Sequence, residues 1–326
     1  MCFSCFDDPE REGRQAMDGR NNTVVTYFIL IGLSEYPRAQ VVFFFLLLVS
    51  YLVTLLGNVL ILFLIHYDSR LHTPMYFFLS NLSFLDICYT SASVPQMIIN
   101  CLVTIPIISL GQCLAQMCAG LYLGVVECLL LAVMAYDRCI AIGDPLRYSV
   151  RMGPQLCVQL SVGSWVSAFL LTVIPTLTTP LEFCGHHIIN HFSCELLAVI
   201  KLACNDLRYN EYFMMASSFL TLLLPFAFIL ASYGRILRAV LKMHSTKGRK
   251  KAFSTCSSHL TVVVIFYGTA ISMYMMPQDK ASRDRDKIIS MLYGVVTPML
   301  NPLIYSLRNK DVKGALQKLC GEKTTT

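Results

Sequence analysis

Charged residues are scarce in this sequence, and their scarcity excludes most soluble proteins. Only 14% of the 326 residues are Asp, Glu, Lys or Arg, whereas 55% are hydrophobic; ordinary soluble domains carry about 25% charged residues. Too few charges remain to cover the surface of a soluble protein of this size. The mean hydropathy of +0.58 indicates a polytopic membrane protein, provided that the apolar residues fall in blocks.

Motifs of common enzymes are also missing. No two glycines are spaced Gly-x-Gly, and neither Gly-x-x-x-x-Gly-Lys nor His-Glu-x-x-His occurs, so nucleotide-binding loops and helical zinc-protease sites are not predicted. The two halves of the chain show no related pattern of interrupted hydrophobic segments, which many secondary transporters have. An enzyme is therefore not expected, and a transporter is the weaker interpretation of a membrane protein.

The apolar residues do fall in blocks. A membrane-spanning helix needs about 20 mainly apolar residues. Seven segments qualify: 41–65, 74–100, 112–136, 156–181, 212–234, 252–278 and 288–307. Two of them contain one acid each, Asp86 and Glu127. Barrel strands would alternate apolar and polar residues, and runs such as 43–48 do not. We predict an all-α membrane protein with a seven-helix bundle.

Basic residues in the connections predict the orientation, because they concentrate on the cytoplasmic side. With the N-terminus outside, the inner segments contain 16 Lys and Arg residues and the outer segments 10. The chain then divides into an extracellular N-terminus (1–40), a seven-helix domain (41–307) and a cytoplasmic tail (308–326). Such basic segments indicate topology and contact with the lipid bilayer, so no nucleic-acid partner is expected.

The two ends of the chain carry separate signals. Residues 1–40 lack the pattern of a cleaved signal peptide, so the first helix is expected to insert by itself. Asn21 begins a glycosylation sequon, which requires this end to be outside. In the tail, four apolar residues at helical spacing predict a short amphipathic helix on the inner leaflet. These residues are Val312, Ala315, Leu316 and Leu319. The adjacent Cys320 is either palmitoylated or an unmodified thiol.

Of the 14 cysteines, four stand apart: Cys113 opens the third span on the outer side, and Cys184, Cys194 and Cys204 lie in the long outer loop. The extracellular side is oxidising, so an even number there indicates two disulfides. Spacing leaves all three pairings open. His191, three residues before Cys194, could bind a soft metal, but Cys194 is better used in a disulfide, so no metal site is predicted.

Several ordered motifs resemble one known family. The motifs are Leu71-His72-Thr73-Pro74-Met75-Tyr76, Met134-Ala135-Tyr136-Asp137-Arg138, Lys251-Ala252-Phe253-Ser254-Thr255-Cys256 and Pro298-Met299-Leu300-Asn301-Pro302-Leu303-Ile304-Tyr305. From about residue 21 to residue 319, the chain resembles the tetrapod-type olfactory receptors, which are rhodopsin-like G-protein-coupled receptors. Two positions depart from the family pattern. Cys139 replaces the usual Tyr, and Gly143-Asp144-Pro145 replaces the usual Cys-His-Pro. Met17 is an alternative start in this family context.

The resemblance implies a function. It implies a plasma-membrane receptor of olfactory neuron cilia that binds a small volatile ligand. Binding would activate a heterotrimeric G protein of the stimulatory, olfactory type and raise cyclic AMP. A same-family chemoreceptor for a non-odorant metabolite in another tissue stays an alternative. The resemblance, and not the spacing, also favours the pairs Cys113–Cys194 and Cys184–Cys204.

The two acids within the spans predict an ion site. Counted from the inner helix ends, Asp86 lies roughly 18 Å and Glu127 roughly 16 Å into the membrane. Asn58 and Asn301 are expected to face them. Two neighbouring carboxylates need a cation or a proton, and the resemblance implies a sodium or proton site that favours the resting state. The alternative is a pair of protonated acids that only tie helices together. No other cofactor is expected.

The motif at the end of the third span implies a switch for the G protein. By the resemblance, Asp137 holds Arg138 at rest and releases it on activation. Tyr233 and Tyr305 resemble the tyrosines that then receive the guanidinium. Pro302 removes one backbone hydrogen bond and permits a kink in the seventh helix.

The ligand is expected in the outer half of the bundle, beneath the disulfide-held loop. Helical periodicity gives candidate faces on three helices. Counting turns inward from Cys113 gives Gly120, Leu121, Gly124 and Val125 on the third span. The sixth span offers Tyr267, Ala270, Ile271 and Tyr274, and the seventh offers Met291 and Gly294. This lining has almost no charge, which favours a small, neutral, mainly apolar ligand. The hydroxyls of Tyr267 and Tyr274 suit an alcohol, aldehyde or ketone, and the lack of an acid in this set argues against biogenic amines. The alternative for the glycines is helix packing alone.

Overall fold

Eight helices are present in the part of the chain described by the computed structural model, which is residues 25–32, 37–179, 181–183, 185, 187–205, 216–274, 282–308 and 310–319. They are α1 (Pro37–Tyr67), α2 (Pro74–Asn100), α3 (Leu110–Gly143), α4 (Pro154–Ala168, then Phe169–Val173 and Ile174–Thr178), α5 (Phe219–Leu223, then Leu224–Lys242), α6 (Thr246–Tyr274), α7 (Ser282–Met291, Leu292–Val296 and Thr297–Arg308) and α8 (Lys310–Leu319). Short helical turns at Ser69–Leu71, Pro145–Arg147, Tyr148–Arg151 and Leu196–Ile200 join them.

Six of these helices, α1 and α3 to α7, are long and apolar enough to cross a membrane. The helical bundle predicted from the sequence is thereby confirmed. Helix α2 is continuous over 27 residues and includes Pro95, but its hydropathy is lower because it contains Ser, Thr, Asn and Asp side chains. The spanning role of α2 therefore stays a prediction.

Local sequence explains several helix ends. Proline occupies the first turn of α2 and of α4, where its missing N–H costs no helical hydrogen bond. Helix α3 begins with a capping box: Ser109 accepts from the backbone N–H of Gln112, and the Gln112 side chain accepts from the backbone N–H of Ser109. The predicted inner segment 235–251 is largely helical, since α5 runs to Lys242 and α6 starts at Thr246.

A small sheet covers the outer end of the bundle. Its strands are β1 (Tyr27–Leu30), β2 (Ile107–Ser109) and β3 (Ile188–Ile189), in the order β2-β1-β3. Strand β1 pairs antiparallel with β2 and parallel with β3. A buried apolar cluster beneath the sheet contains Phe28, Ile108, Cys113 and Cys194. The N-terminal segment is therefore packed onto the loop that follows α4.

The inner half of the bundle contains the largest apolar core, which α1, α2, α3, α6 and α7 all enter. Helices α1 and α7 approach most closely at Gly57, where an added Cβ would lie 3.0 Å from the Cβ of Pro302. The predicted α8 is present. Its residues Val312 and Ala315 are buried. The Tyr76 hydroxyl of α2 donates to the Asp311 carboxylate of α8 at 3.3 Å. These contacts fix α8 across the inner end of α2.

Candidate ligand cavity and cytoplasmic switch

A cavity of about 110 Å³ lies between α2, α3, α6 and α7 and below the outer loop. Its wall is mainly apolar and aromatic, with Met117, Leu121, Phe266 and Met273 among the contributing side chains. An apolar cavity of about 150 Å³ is enough to hold benzene. Because the present cavity is smaller, it suits a molecule more compact than benzene.

The roof of the cavity consists of residues 193–195 of the outer loop, all three of which line it. The predicted disulfide between Cys113 and Cys194 is confirmed, and it ties the roof to α3. Gln116 adds a second tie, because its Oε1 accepts from the backbone N–H of Cys194 at 2.8 Å while its Nε2 donates to the Ala92 carbonyl at 3.2 Å. The roof is thus fixed to both α3 and α2.

Glu195 attaches the other side of the roof to α7. Its Oε1 accepts hydrogen bonds from the hydroxyls of Ser290 at 2.7 Å and Tyr293 at 2.5 Å. Tyr293 lies in the π-helical part of α7 and packs edge-on against Tyr89 of α2. The sequence analysis did not find this group. The position of Glu195 directly after the disulfide cysteine was the available signal.

Four of the ten predicted ligand-binding residues line the cavity: Gly120, Leu121, Gly124 and Ala270. A Cβ added at Gly120 or Gly124 would meet nothing within 4 Å. These two glycines therefore face open space, and the alternative that they only pack helices is not supported. Whether a ligand contacts them stays a prediction.

Five other candidates do not line the cavity. Tyr267 stacks on Phe226 with centroids 4.7 Å apart, and Ile271 packs into the inner core. The remaining three face other helices: Val125 packs in the cluster around Leu85 and Ala168, Met291 packs against Val94 and Val295, and Gly294 faces the Tyr89 ring. The side chain of Tyr274 lies outside the described part.

The error on α6 is a rotation of the helix face. The predicted face was 267, 270, 271 and 274, whereas the cavity is lined by Phe266, Thr269, Ala270 and Met273. This difference is one residue along the helix, or about 100° around its axis. Periodicity identified the spacing correctly but not which face points at the cavity.

The expectation of an uncharged wall is wrong. Glu127 and Glu195 both line the cavity, one at its inner end and one in its roof. The periodic faces missed both acids, because Glu127 had been assigned only to an ion site and Glu195 lies in a loop.

Asp86 meets Asn301 as expected, but Asn58 does not join them. Asp86 is 1% exposed, and its two carboxylate oxygens accept from Asn301 Nδ2 at 3.1 Å each. A site shared by Asp86 and Glu127 stays a prediction. Asn58 instead donates to the Thr54 and Pro298 carbonyls. Asn58 therefore joins α1 to α7 and donates no hydrogen bond to either acid.

Two unpaired oxygen atoms of the expected site suit a hard cation. The buried Glu127 Oε1 and Asn301 Oδ1 each lack a hydrogen-bond partner. Buried polar atoms are normally paired, and unpaired oxygens beside carboxylates fit sodium or ordered water. The residues present are therefore compatible with the expected ion. No group of three or more His, Cys, Asp or Glu side chains suited to a metal ion occurs among the described residues, and His191 belongs to no such group.

The expected ion pair between Asp137 and Arg138 is absent. Both side chains are buried, but within the described ranges no salt bridge joins them, and Asp137 accepts from the Tyr148 hydroxyl at 2.7 Å. Burial together with the neighbouring Asp137 carboxylate raises the pKa of Tyr148 well above its usual value, so the hydroxyl stays a donor. The Arg138 Nε has no hydrogen-bond partner.

The two tyrosines expected to receive Arg138 lie within range of its charge. Tyr233 is occupied, since its hydroxyl lies 2.7 Å from His259 Nδ1. The other ring nitrogen of His259 lies 3.1 Å from the Leu131 carbonyl. Tyr305 is buried, and its hydroxyl has no partner. His259 therefore links α3, α5 and α6, a role that the sequence analysis missed.

The two departures from the family pattern have separate surroundings. Cys139 packs beside Ile236 and Cys256, between α3, α5 and α6. Asp144 forms a partly exposed ion pair with Arg151 at 3.6 Å. Exposed pairs of this kind stabilise by at most about 1 kcal/mol.

Four predicted modification or pairing sites are not tested. Asn21, Cys184 and Cys320 lie outside the described residues. Cys204 is disulfide-bonded, but its predicted pairing with Cys184 stays a prediction.

Comparison with known proteins gives one consistent result. The sequence model of the family described as "Olfactory receptor" matches residues 47–323. Human olfactory receptor 13H1 is 56% identical over 95% of this chain and 100% of its own length. The dog olfactory receptor-like protein OLF3 is 52% identical over 93% of this chain and 96% of its own length. Human olfactory receptor 13C9 is 49% identical over 93% of this chain and 98% of its own length.

Proposed function

Because the chain belongs to the olfactory receptor family of G-protein-coupled receptors, we propose which ligands it binds and which G protein it activates. It binds small, mainly apolar volatile molecules in the cavity beneath residues 193–195. Binding activates a stimulatory, olfactory-type G protein and raises cyclic AMP. The observation that carries the proposal is a compact apolar cavity above a buried Arg138 in the same bundle.

Membership of this family also settles coarser points. The protein is a multi-pass plasma-membrane receptor that responds to small ligands through a G protein, and it is not an enzyme. Cilia of olfactory sensory neurons are its proposed site within the plasma membrane. We further propose that residues 1–40 are extracellular and that residues 308–326 are cytoplasmic.

The size and lining of the cavity support a volatile ligand. Volatile molecules are small and have few polar groups, which matches about 110 Å³ of mainly apolar space. The fixed roof limits the ligand from above, since a disulfide and the Gln116 hydrogen bond attach it to α3. A larger ligand would have to displace side chains of the wall.

Arg138 is proposed as the group that transmits binding to the G protein. At the inner end it is surrounded by Tyr233, His259 and Tyr305, which lie on α5, α6 and α7. Ligand-induced movement of α6 would separate Tyr233 from His259 and leave its hydroxyl free to receive the guanidinium. Arg is suited to this exchange because its planar fork keeps its charge while it changes partners.

An ion or proton at Asp86 and Glu127 is proposed to stabilise the resting bundle. Asn301 would hold Asp86 in place, and a sodium ion would supply charge compensation between the two carboxylates. If both carboxylates are instead protonated, the same contacts tie α2, α3 and α7 together without an ion.

The proposed function is tested by cyclic AMP in cells that express the protein with an olfactory-type stimulatory G protein. A panel of volatiles is compared on the wild type, Arg138→Ala and Lys313→Ala, at matched surface expression. Lys313 is an exposed cation on α8 at the same end of the bundle, so it controls for loss of charge. The proposal expects a response that Arg138→Ala abolishes and Lys313→Ala retains. A response that survives Arg138→Ala would refute the proposed switch.

A further inference from the structure

Among the described residues, every charged side chain that lines the cavity is an acid. Glu127 and Glu195 carry carboxyl groups, and none of the described lining residues is Lys, Arg or His. A carboxylate oxygen only accepts hydrogen bonds, and an ionised carboxylate offers about four acceptor positions. The charge in the wall therefore disfavours anionic ligands and favours ligands that donate hydrogen bonds.

Several donors in the wall are already used within the protein. The Thr269 hydroxyl donates to the backbone of its own helix, at 2.9 Å to the Ile265 carbonyl and 2.8 Å to the Phe266 carbonyl. The Tyr293 hydroxyl donates to Glu195, and the Gln116 amide donates to Ala92. A ligand that can only accept hydrogen bonds would have to break one of these contacts.

Acceptor capacity, in contrast, is left over. The Glu195 Oε1 takes the hydroxyls of Ser290 and Tyr293, which fills only part of what a carboxylate accepts. Those two hydroxyls also fix its direction within the roof. At the inner end, Glu127 is 7% exposed and belongs to the proposed ion or proton site. Glu195 is therefore the carboxylate whose remaining acceptor capacity is left for a ligand.

We propose that the cavity selects compact ligands with an apolar body and a hydrogen-bond-donating headgroup, an alcohol or an amine, and that Glu195 is the residue in the roof that accepts from this headgroup. The inference rests on the proposed function, because it names the ligand class of the same cavity. Carboxylic acids, and aldehydes, ketones or esters of the same shape, are the disfavoured ligands.

The expected size of the effect follows from hydrogen bonds to charged groups. Such a bond contributes roughly tenfold to hundredfold in affinity. The test uses matched sets of four or five carbons, linear and cyclic, such as cyclobutanol, cyclobutylamine, cyclobutanone and cyclobutanecarboxylate. The half-maximal concentration for cyclic AMP is measured for each, on the wild type. The proposal expects the alcohol or the amine of a set to be at least about tenfold more potent than its ketone.

Comparison of the alcohol with the amine of the same set identifies the headgroup. If the amine is more potent than the alcohol, the partner of Glu195 is a charged group. If the alcohol is more potent than the amine, the partner is a neutral donor. Equal potency supports the shared donor chemistry. If ketones or acids activate as well as alcohols and amines in an Arg138-dependent way, the proposed function stands and this inference is refuted. If no volatile activates at full surface expression, both are refuted.

Variants of the roof separate recognition from simple support of the loop. Glu195→Gln keeps one acceptor oxygen for Ser290 and Tyr293 but turns an N–H group toward the cavity. The ratio of alcohol to ketone potency should therefore fall about tenfold or more. Glu195→Asp should retain the wild-type ratio. Glu182→Gln is the matched control, because Glu182 lies in the same outer loop, is exposed and does not line the cavity; it should not change the ratio. A Glu195→Gln variant that loses potency equally for both ligands would show a merely structural role and refute the assignment.

Discussion

Gly124 gives the most direct test of where the ligand lies. It lines the cavity, and a Cβ added there would meet no atom within 4 Å. Gly124→Ala therefore adds a methyl group to empty space without steric conflict. The change should leave folding intact, or improve it slightly, because alanine is favoured over glycine within helices.

The magnitude follows from the size of the cavity. The added methyl group takes from the cavity about the space that one methylene group of a ligand would fill. A ligand that fills the cavity must give up burial of about one methylene, which contributes about 0.8 kcal/mol. Its half-maximal concentration should rise about fourfold, and a homologue that is one methylene shorter should be unaffected.

The assay is a cyclic AMP dose–response curve for a homologous ligand series on the wild type and Gly124→Ala. Gly163→Ala is the matched control, because Gly163 lies on the exposed side of α4 and also has no atom within 4 Å of an added Cβ. The ligand length of highest potency should shorten in Gly124→Ala only. If both variants match the wild type for every ligand, then the ligand does not occupy this cavity.

Three further predictions concern the bundle. Cys113→Ser and Cys194→Ser should each lower the stability of the folded protein by about 2–5 kcal/mol. Because both changes break the same bond, the double variant should lose no more surface expression than either single variant. A larger, additive loss would contradict the disulfide. Tyr148→Phe removes the hydroxyl that donates to Asp137. If this hydrogen bond stabilises the resting state by about 1 kcal/mol, basal cyclic AMP per surface receptor should rise about fivefold. An unchanged basal level would argue against this contact. Asp68→Asn should lower the thermal unfolding midpoint at pH 7 in detergent.

The pH dependence at Asp68 has a definite sign. The Arg70 side chain and backbone donate to this carboxylate, which caps the turn at Ser69–Leu71, and lower its pKa from 3.8 to about 2. Because the pKa of Asp68 is lower in the folded than in the unfolded protein, its ionised carboxylate stabilises the folded state above the unfolded pKa. This stabilisation is lost as the pH falls from about 4 through 2. The midpoint of Asp68→Asn should therefore approach that of the wild type in this range. A constant difference down to pH 2 would contradict the assignment.

The helices were predictable because each is encoded locally. Uninterrupted apolar runs identify the spans, and the tail pattern at Val312, Ala315, Leu316 and Leu319 predicted α8. The outer sheet was not predictable, because strands of two to four residues give little local signal. β1 at Tyr27–Leu30 pairs with segments roughly 80 and 160 residues away in the chain.

The site was predictable only where one helix determined it. Counting turns inward from Cys113 placed Gly120 and Gly124 correctly, because the disulfide fixes the outer end of α3. No such reference point exists for α6, so the predicted face differed from the lining by one residue. Glu195 was missed because its contacts with Ser290 and Tyr293 of α7 are long-range; in the sequence, only its place next to Cys194 indicated the roof.

The central claim is that a volatile ligand in this cavity activates a stimulatory G protein through Arg138. The most direct measurement is guanine-nucleotide exchange on purified stimulatory G protein, with the receptor in lipid nanodiscs and an activating volatile. We expect ligand-dependent exchange that disappears in Arg138→Ala and persists in Lys313→Ala. Exchange that is unaffected by Arg138→Ala, or that occurs only with an inhibitory G protein, would contradict the account.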